Sequence, residues 1–185
     1  MTGCNRSTPG PKAMYSSGKQ EWYTPPVIIE AVRALFGGEI DLDPCSNAKG
    51  GSANVPARMH YTVKDNGLLQ PWSGRIYLNP PYGRGIRPWI ERVREEYERG
   101  RIRAAVVLVK SATDTAWFRI LSVKYPRCEI AGRLKFSGCP NPAPFPSTVF
   151  YLGGDMARFA EVFGPLGVLV TPWSVVRAGA LEVQV

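Results

Sequence analysis

The stretch Arg75-Ile76-Tyr77-Leu78-Asn79-Pro80-Pro81-Tyr82 runs from strand-type apolar residues straight into two prolines. A strand cannot carry its ladder through Pro80 and Pro81, because neither has an N–H to give and both hold φ near about −65°. The segment therefore reads as a buried strand that ends in a stiff corner at a sheet edge. Such a corner holds three groups still: the side-chain carbonyl of Asn79, the backbone carbonyl of Pro80 and the ring of Tyr82. Two carbonyl oxygens can accept from an exocyclic NH₂ while a phenol stacks on a planar base. Alone, the four residues also fit a Pro-Pro turn beside an aromatic, so their surroundings decide.

Downstream of the corner, Arg87-Pro88 opens a helix with an apolar stripe at Trp89, Ile90, Val93 and Tyr97, and Gly100 closes it. Ala104 to Val109 is then a continuous apolar run, the pattern of a central strand covered on both faces. A helix over residues 115–123 separates it from Glu129 to Phe136. Ser147 to Leu152 follows a Pro-rich loop, Asp155 caps a helix to Phe163, and Gly167 to Thr171 is a last strand. Upstream, Thr24 is expected to cap a helix that opens with Pro25 and Pro26 and stops at Gly37-Gly38. Short strands are expected at Glu39 to Asp43 and Tyr61 to Val63. Residues 1–19 read as a flexible arm. Alternating strands and helices predict an α/β fold with a mostly parallel sheet and ligands at the carboxyl ends of its strands.

The chain has 185 residues, enough for one well-buried core and too few for two comfortable domains. Apolar residues at 44% and charged residues at 21% fit an ordinary globular protein. Twenty-three Lys and Arg against 15 Asp and Glu leave a formal charge of +8, which suits a polyanionic partner. The four cysteines lack CxxC spacing and His60 is the single histidine, so no metal site is expected. His60 reads as a satisfied structural residue. With neither a signal peptide nor an apolar run near 20 residues, the expected setting is a reducing cytoplasm with free thiols and no membrane partner.

Two carboxylates fall at strand ends. Asp43 opens Asp43-Pro44-Cys45-Ser46-Asn47, and Asp65 lies in Lys64-Asp65-Asn66-Gly67-Leu68. Asp43 could meet a cationic or hydroxyl-bearing part of a ligand, or serve as a cap or turn residue. Asp65 could accept from the amino group of an adenine ring, or open an Asp-Asn-Gly turn.

Six segments in order resemble the S-adenosylmethionine-dependent amino-methyltransferases, most closely the phage-type DNA N6-adenine methyltransferases. They are Trp22-Tyr23-Thr24-Pro25, Asp43-Pro44, Asp65-Asn66-Gly67-Leu68 with Trp72, Asn79-Pro80-Pro81-Tyr82-Gly83, Thr113-Asp114-Thr115-Ala116-Trp117-Phe118 and Gly132-Arg133-Leu134-Lys135-Phe136. The resemblance implies a single-domain Rossmann-like methyltransferase fold over residues 20–185, with an antiparallel C-terminal hairpin and no separate target-recognition domain. It implies a phage or prophage protein acting in a bacterial cytoplasm on DNA. By the same resemblance, S-adenosylmethionine would lie along Tyr23, Thr24, Pro25, Asp43, Pro44, Cys45 and Asp65. Asn79, Pro80, Pro81 and Tyr82 would be catalytic. In place of the glycine-rich loop usual after the first strand stands Cys45-Ser46-Asn47-Ala48.

Seven arginines lie between Arg84 and Arg103, interleaved with Glu91, Glu95, Glu96 and Glu98, a pattern of i,i+4 pairs on a solvated helix face. Arg84 and Arg87 flank the corner and are candidates for phosphate contact. Phe136 and Phe145 are further candidates to face a flipped base. RNA adenine or a protein glutamine as methyl acceptor, and a catalytically silent nucleic-acid-binding protein, are the alternative readings.

Overall fold

A computed structural model describes residues 22–47, 53–83 and 85–172. The expected arm over residues 1–19, Arg84 and the tail from Trp173 lie outside the described residues. The elements run α1 (Pro26–Leu35), β1 (Ile40–Asp43), β2 (Ala57–His60), β3 (Gly74–Leu78), α2 (Ile86–Glu98), β4 (Ile102–Lys110), α3 (Ala116–Ser122), β5 (Arg127–Ile130), β6 (Ser147–Leu152), α4 (Met156–Phe163), a 3₁₀ turn and β7 (Gly167–Val170).

The strands form one sheet in the order β2-β1-β3-β4-β6-β5-β7. Along β3 the pleat sends Ile76 and Leu78 into the core beneath α2 and α3, and Tyr77 into the core beneath α1 and α4. In the same way β4 gives Ala105, Val107 and Val109 to one face and Val106 and Leu108 to the other, which is why its sequence is apolar without interruption. Fully burying one such side chain contributes about 1.5–3 kcal/mol. These two strands therefore anchor the corner that follows β3.

The mostly parallel sheet expected from the alternation is not what forms. β2, β1, β3 and β4 are parallel neighbours, but β4–β6, β6–β5 and β5–β7 are antiparallel, and the ladder from Ala105↔Leu152 to Lys110↔Ser147 is the longest in the sheet. The reason is the connection from β5 to β6, which contains no crossover helix; a parallel pair needs one and an antiparallel pair does not. The last two strands, β6 and β7, do not pair with each other, because β5 lies between them. β5 thus points the same way as β1 to β4, and its end reaches the same edge of the sheet as Asp43 and Asn79.

Two local expectations also change. Thr24 does not cap α1: the N-cap is Pro25 without a side-chain bond, and the Thr24 hydroxyl is turned into the protein. The strand expected at Tyr61 to Val63 lies four residues earlier, at Ala57–His60, because Thr62 is taken up by a turn with Asp65. The strand expected at Glu129 to Phe136 is Arg127–Ile130, ending six residues earlier where Ala131 and Gly132 turn the chain, and the other boundaries fall within a residue or two. Gly100 in the left-handed region (φ 68°) follows α2, and Asp155 Oδ1 accepts from the Arg158 N–H at 2.9 Å to cap α4.

Candidate active site

β3 delivers Asn79 to the carboxyl edge, and the segment before α1 receives it. Asn79 Nδ2 donates to the Trp22 carbonyl at 2.8 Å and lies 3.3 Å from Thr24 Oγ1, while Thr24 Oγ1 is 2.8 Å from the hydroxyl of Tyr77. Thr24 and Tyr77 are both about 1% exposed. The nitrogen of the Asn79 amide is therefore turned inward, and among the described residues no donor reaches its Oδ1, which is not buried. Pro80 packs into the protein and Pro81 is exposed.

An aromatic cluster closes around this amide. Trp22 meets Phe136 at 5.0 Å and Phe145 at 5.1 Å, both edge-on, and Tyr82 meets Phe145 at 5.4 Å and Trp22 at 6.5 Å. Tyr82 is half-buried, and its hydroxyl is enclosed without a partner among the described residues, which pushes its pKa far up. Phe136 is 1% exposed, so it backs Trp22 instead of facing outward. Phe145 is half-buried. The segment carrying Phe136 is fastened to the Trp22 segment by the Ser137 N–H to the Tyr23 carbonyl at 2.9 Å. Tyr23 itself is half-buried there.

Asp43 ends β1 on the same edge and is 4% exposed. Its Oδ1 accepts from the Cys45 N–H at 3.1 Å. Burial pushes its pKa up to about 7, against the pull of that bond and of the Ser46 side chain. No cationic side chain among the described residues is paired with it. Burial, helped by the Asp43 charge, pushes the Cys45 thiol up to about 12, so it is not a nucleophile at neutral pH. Pro44 is buried, and Gly67 lies so close that a Cβ there would stand 1.9 Å from the Pro44 carbonyl oxygen. Only glycine fits, and this contact joins the loop after β1 to the loop carrying Asp65.

Asp65 is exposed, and its Oδ2 accepts from the Thr62 N–H and hydroxyl, each at 2.7 Å. Those two bonds hold its carboxyl below the ordinary value. Asn66 adopts φ 52° behind it, as an Asp-Asn-Gly turn requires. Arg92 of α2 braces this loop: it donates to the carbonyls of Leu68 and Gln70, pairs with Glu96 and lies over the Trp72 ring, whose Nε1 donates to the Gly67 carbonyl at 2.8 Å. His60 is not fully satisfied, since its Nδ1 is buried without a partner among the described residues.

The basic flank divides. Arg87 is exposed and paired with Glu91 at 2.8 Å, so its charge is largely compensated. Arg133 and Lys135 are exposed and carry no ion pair among the described residues, alternating with buried Leu134 and Phe136. The structure thus brings together Trp22, Thr24, Asn79, Tyr82 and Phe145 and sets Asp43 on the same edge, while Asp65 lies in an exposed turn of the loop packed against Pro44. Sequence reasoning missed Tyr77, which reads as an ordinary strand aromatic, and Trp22, whose signal was its place at the head of Trp22-Tyr23-Thr24-Pro25. Among the described residues no group of side chains could hold a metal ion, and no helix is long and apolar enough to cross a membrane.

This edge of an α/β protein thus sets an amide oxygen without a donor among the described residues beside aromatic rings, with a buried carboxylate further along. Residues 12–143 match the DNA N-6-adenine-methyltransferase (Dam) family, and the chain belongs to that family. The activity of the family is methylation of adenine N6 in DNA. No curated protein matches the chain.

Proposed function

We propose that the chain methylates the N6 amine of adenine in DNA with S-adenosylmethionine as donor, on an adenine swung out of the duplex against Asn79, Pro80 and Tyr82. The observation that carries this reading is the Asn79 amide, whose nitrogen is engaged inward and whose oxygen is left as an acceptor at the strand end. The amine of adenine has hydrogens to give and a lone pair delocalised into the ring. Acceptance of those hydrogens by Asn79 Oδ1 and the Pro80 carbonyl favours the pyramidal nitrogen that can attack. The lone pair forms the new bond to the methyl carbon, and the nitrogen then sheds a proton to water. No strong base is needed. When bound, S-adenosylmethionine supplies a methyl group on a positively charged sulfur, which keeps the electrons of the broken C–S bond.

The chain's own part is positioning, and a corner of two prolines between packed elements suits that task. The fit of a cationic cofactor rests on Asp43, a desolvated carboxylate without a cation among the described residues. A positive charge beside it would favour its ionised form. Tyr23, Thr24, Pro25, Pro44, Cys45 and Asp65 complete the proposed cofactor surface. In this reading the parallel half of the sheet is the Rossmann-like methyltransferase core. Tyr82, Phe145 and the exposed rim of Trp22 receive the base, Phe136 supports them, and Arg133 and Lys135 meet phosphates together with Arg84 and Arg87.

Membership of the family favours DNA adenine over RNA adenine or glutamine as the acceptor. The test is to express the chain in a host lacking adenine methylation, digest the genomic DNA to nucleosides and quantify N6-methyladenine. Its appearance with the wild-type chain and its loss with Asn79→Ala are expected. Methylation of cytosine alone, or none from a folded protein that binds the cofactor and DNA, would overturn the reading.

A further inference from the structure

We propose that Thr24 and Tyr77 are positioning residues that fix which end of the Asn79 amide faces the substrate; this rests on the reading of Asn79 as the acceptor of the adenine amine. An asparagine amide has two ends of nearly the same shape and opposite chemistry, since Oδ1 only accepts and Nδ2 only donates. Rotation about its last torsion exchanges them across a broad, roughly two-fold profile. With Nδ2 outward the site would set donor against donor and repel the amine it has to hold. Catalysis by Asn79 therefore requires a device that keeps the amide from turning over.

The structure contains one. The carbonyl of Trp22, 2.8 Å from Asn79 Nδ2, can only accept, so the inward end of the amide must be the nitrogen. That uses one of its two hydrogens. The second is directed to Thr24 Oγ1 at 3.3 Å. A lone hydroxyl would be a poor guard, because it can donate as readily as accept and could bond an inverted amide through its own hydrogen. Here the Thr24 hydroxyl lies 2.8 Å from the Tyr77 hydroxyl, 53 residues along the chain, and in this proposal it gives its hydrogen to Tyr77 and keeps its oxygen to accept from Asn79. Both hydroxyls are buried, so neither can turn to water in place of its partner.

Tyr77 lies on the face of β3 opposite Ile76 and Leu78, two residues before the amide it supports. Its phenol reaches beneath the strand end to hold Thr24, whose own segment provides the Trp22 carbonyl. The result is a three-residue chain of bonds, Tyr77 to Thr24 to Asn79, with the free acceptor at its end. Without the Tyr77 hydroxyl, the Thr24 hydrogen loses that acceptor and is free to meet Asn79 Oδ1, so the inverted amide gains population. An aspartate at position 79 fails for a related reason, since it would press a carboxylate oxygen against the Trp22 carbonyl where a donor is required.

The experiment measures kcat, KM for an adenine-containing duplex and Kd for S-adenosylmethionine in Tyr77→Phe, Thr24→Val, Thr24→Ser, Asn79→Asp, Asn79→Ala and Tyr77→Phe/Asn79→Ala, with thermal melts as the folding control. Tyr77→Phe keeps the ring and its packing. It is expected to lower kcat about three- to tenfold, the scale of one neutral hydrogen bond, with KM and Kd within about twofold of wild type. Thr24→Val should fall as far and Thr24→Ser recover, because the serine hydroxyl can occupy the same place. Asn79→Asp should lose about as much activity as Asn79→Ala. In the Asn79→Ala background, Tyr77→Phe should lose its effect, since no amide is left to orient. Should Asn79→Ala abolish turnover while Tyr77→Phe, Thr24→Val and Asn79→Asp remain near the wild-type rate, the positioning role is refuted and the acceptor role of Asn79 survives. A wild-type rate in folded Asn79→Ala itself would instead overturn the underlying reading of the site.

Discussion

Asn79 and Asp65 both carry a side-chain oxygen in loops at the carboxyl side of the sheet, and the fold holds the two side chains in different ways. Around Asn79 the donors are used up: Nδ2 is given to Trp22 and Thr24, and an oxygen is left over. Around Asp65 one acceptor is used, because two bonds from Thr62 turn Oδ2 back into its own loop, while no bond among the described residues reaches Oδ1. Asn79 is held by the segment carrying Trp22 and Thr24 and, through Thr24, by Tyr77 of its own strand, whereas Asp65 is exposed, in a loop tied by Gln70 to the Asp65 carbonyl and braced by Arg92 and Trp72. A motif residue is thus available to a ligand only through the atoms its own fold leaves unspent. By that measure Asn79 offers Oδ1 from a buried frame, and Asp65 offers Oδ1 from an exposed turn whose shape its Oδ2 fixes.

The largest effect expected from this difference is at Asn79. Removal of one preorganised transition-state partner in Asn79→Ala should lower kcat on the order of 10²-fold or more while the melting profile stays cooperative. Next comes Asp43, the buried carboxylate between the two regions. With its pKa pushed up to about 7, a cation-binding role makes cofactor affinity pH-dependent. Titration calorimetry from pH 8 to pH 6 should find the Kd for S-adenosylmethionine rising about tenfold, as expected for a group protonated below its pKa, and Asp43→Asn should flatten that profile.

The two aspartates should also respond to acid with opposite sign. Folding raises Asp43 from its ordinary 3.8 to about 7, so in that window the native state holds the proton more tightly than the unfolded chain. Its contribution to stability is largest at acid pH and declines as pH rises through the window. Asp65 is lowered from 3.8, so its contribution is present above that value and disappears as pH falls below it. Denaturant melts of Asp43→Asn and Asp65→Asn against wild type, from pH 3 to 8, read both slopes.

Smaller again is the effect at Asp65. Asp65→Ala opens the turn that places Gly67 against Pro44 and should raise the Kd for S-adenosylmethionine by about tenfold. Asp65→Asn retains an acceptor for Thr62 and should stay near wild type. If it behaves like Asp65→Ala, the carboxylate meets the ligand directly and the contrast drawn above is wrong. The smallest effect is on salt dependence. Arg133→Ala and Lys135→Ala should each reduce the slope of log K for DNA against log salt by about one, and Arg87→Ala, already paired with Glu91, by less.

Much of this was legible in the sequence, for reasons that differ by element. The uninterrupted apolar run of β4 announces a strand covered on both faces, and Asp155 and Gly100 mark helix ends through chemistry local to them. The direction of β6 was not legible, because the length and course of the β5–β6 loop set it and no residue within β6 records it. Thr24 carries a cap residue's signature, yet a tertiary bond to Tyr77, 53 residues away, claims its hydroxyl. Thr62 and Val63 have strand propensity, but Asp65 draws Thr62 into a turn. At the site, the corner at Asn79 was legible from its prolines. The orientation of the Asn79 amide and the service of Tyr77 were not, because both depend on which atoms face each other across the fold.

The measurement that tests the central claim most directly is single-turnover methyl transfer from labelled S-adenosylmethionine to an adenine-containing duplex, with wild type and Asn79→Ala at saturating cofactor and DNA and the product identified as the nucleoside. Label in N6-methyladenine with wild type, and a rate lower by about 10²-fold or more in an Asn79→Ala protein that still binds both ligands, is the expected result. Equal rates in the two folded proteins, or label in any other nucleoside, would contradict the account.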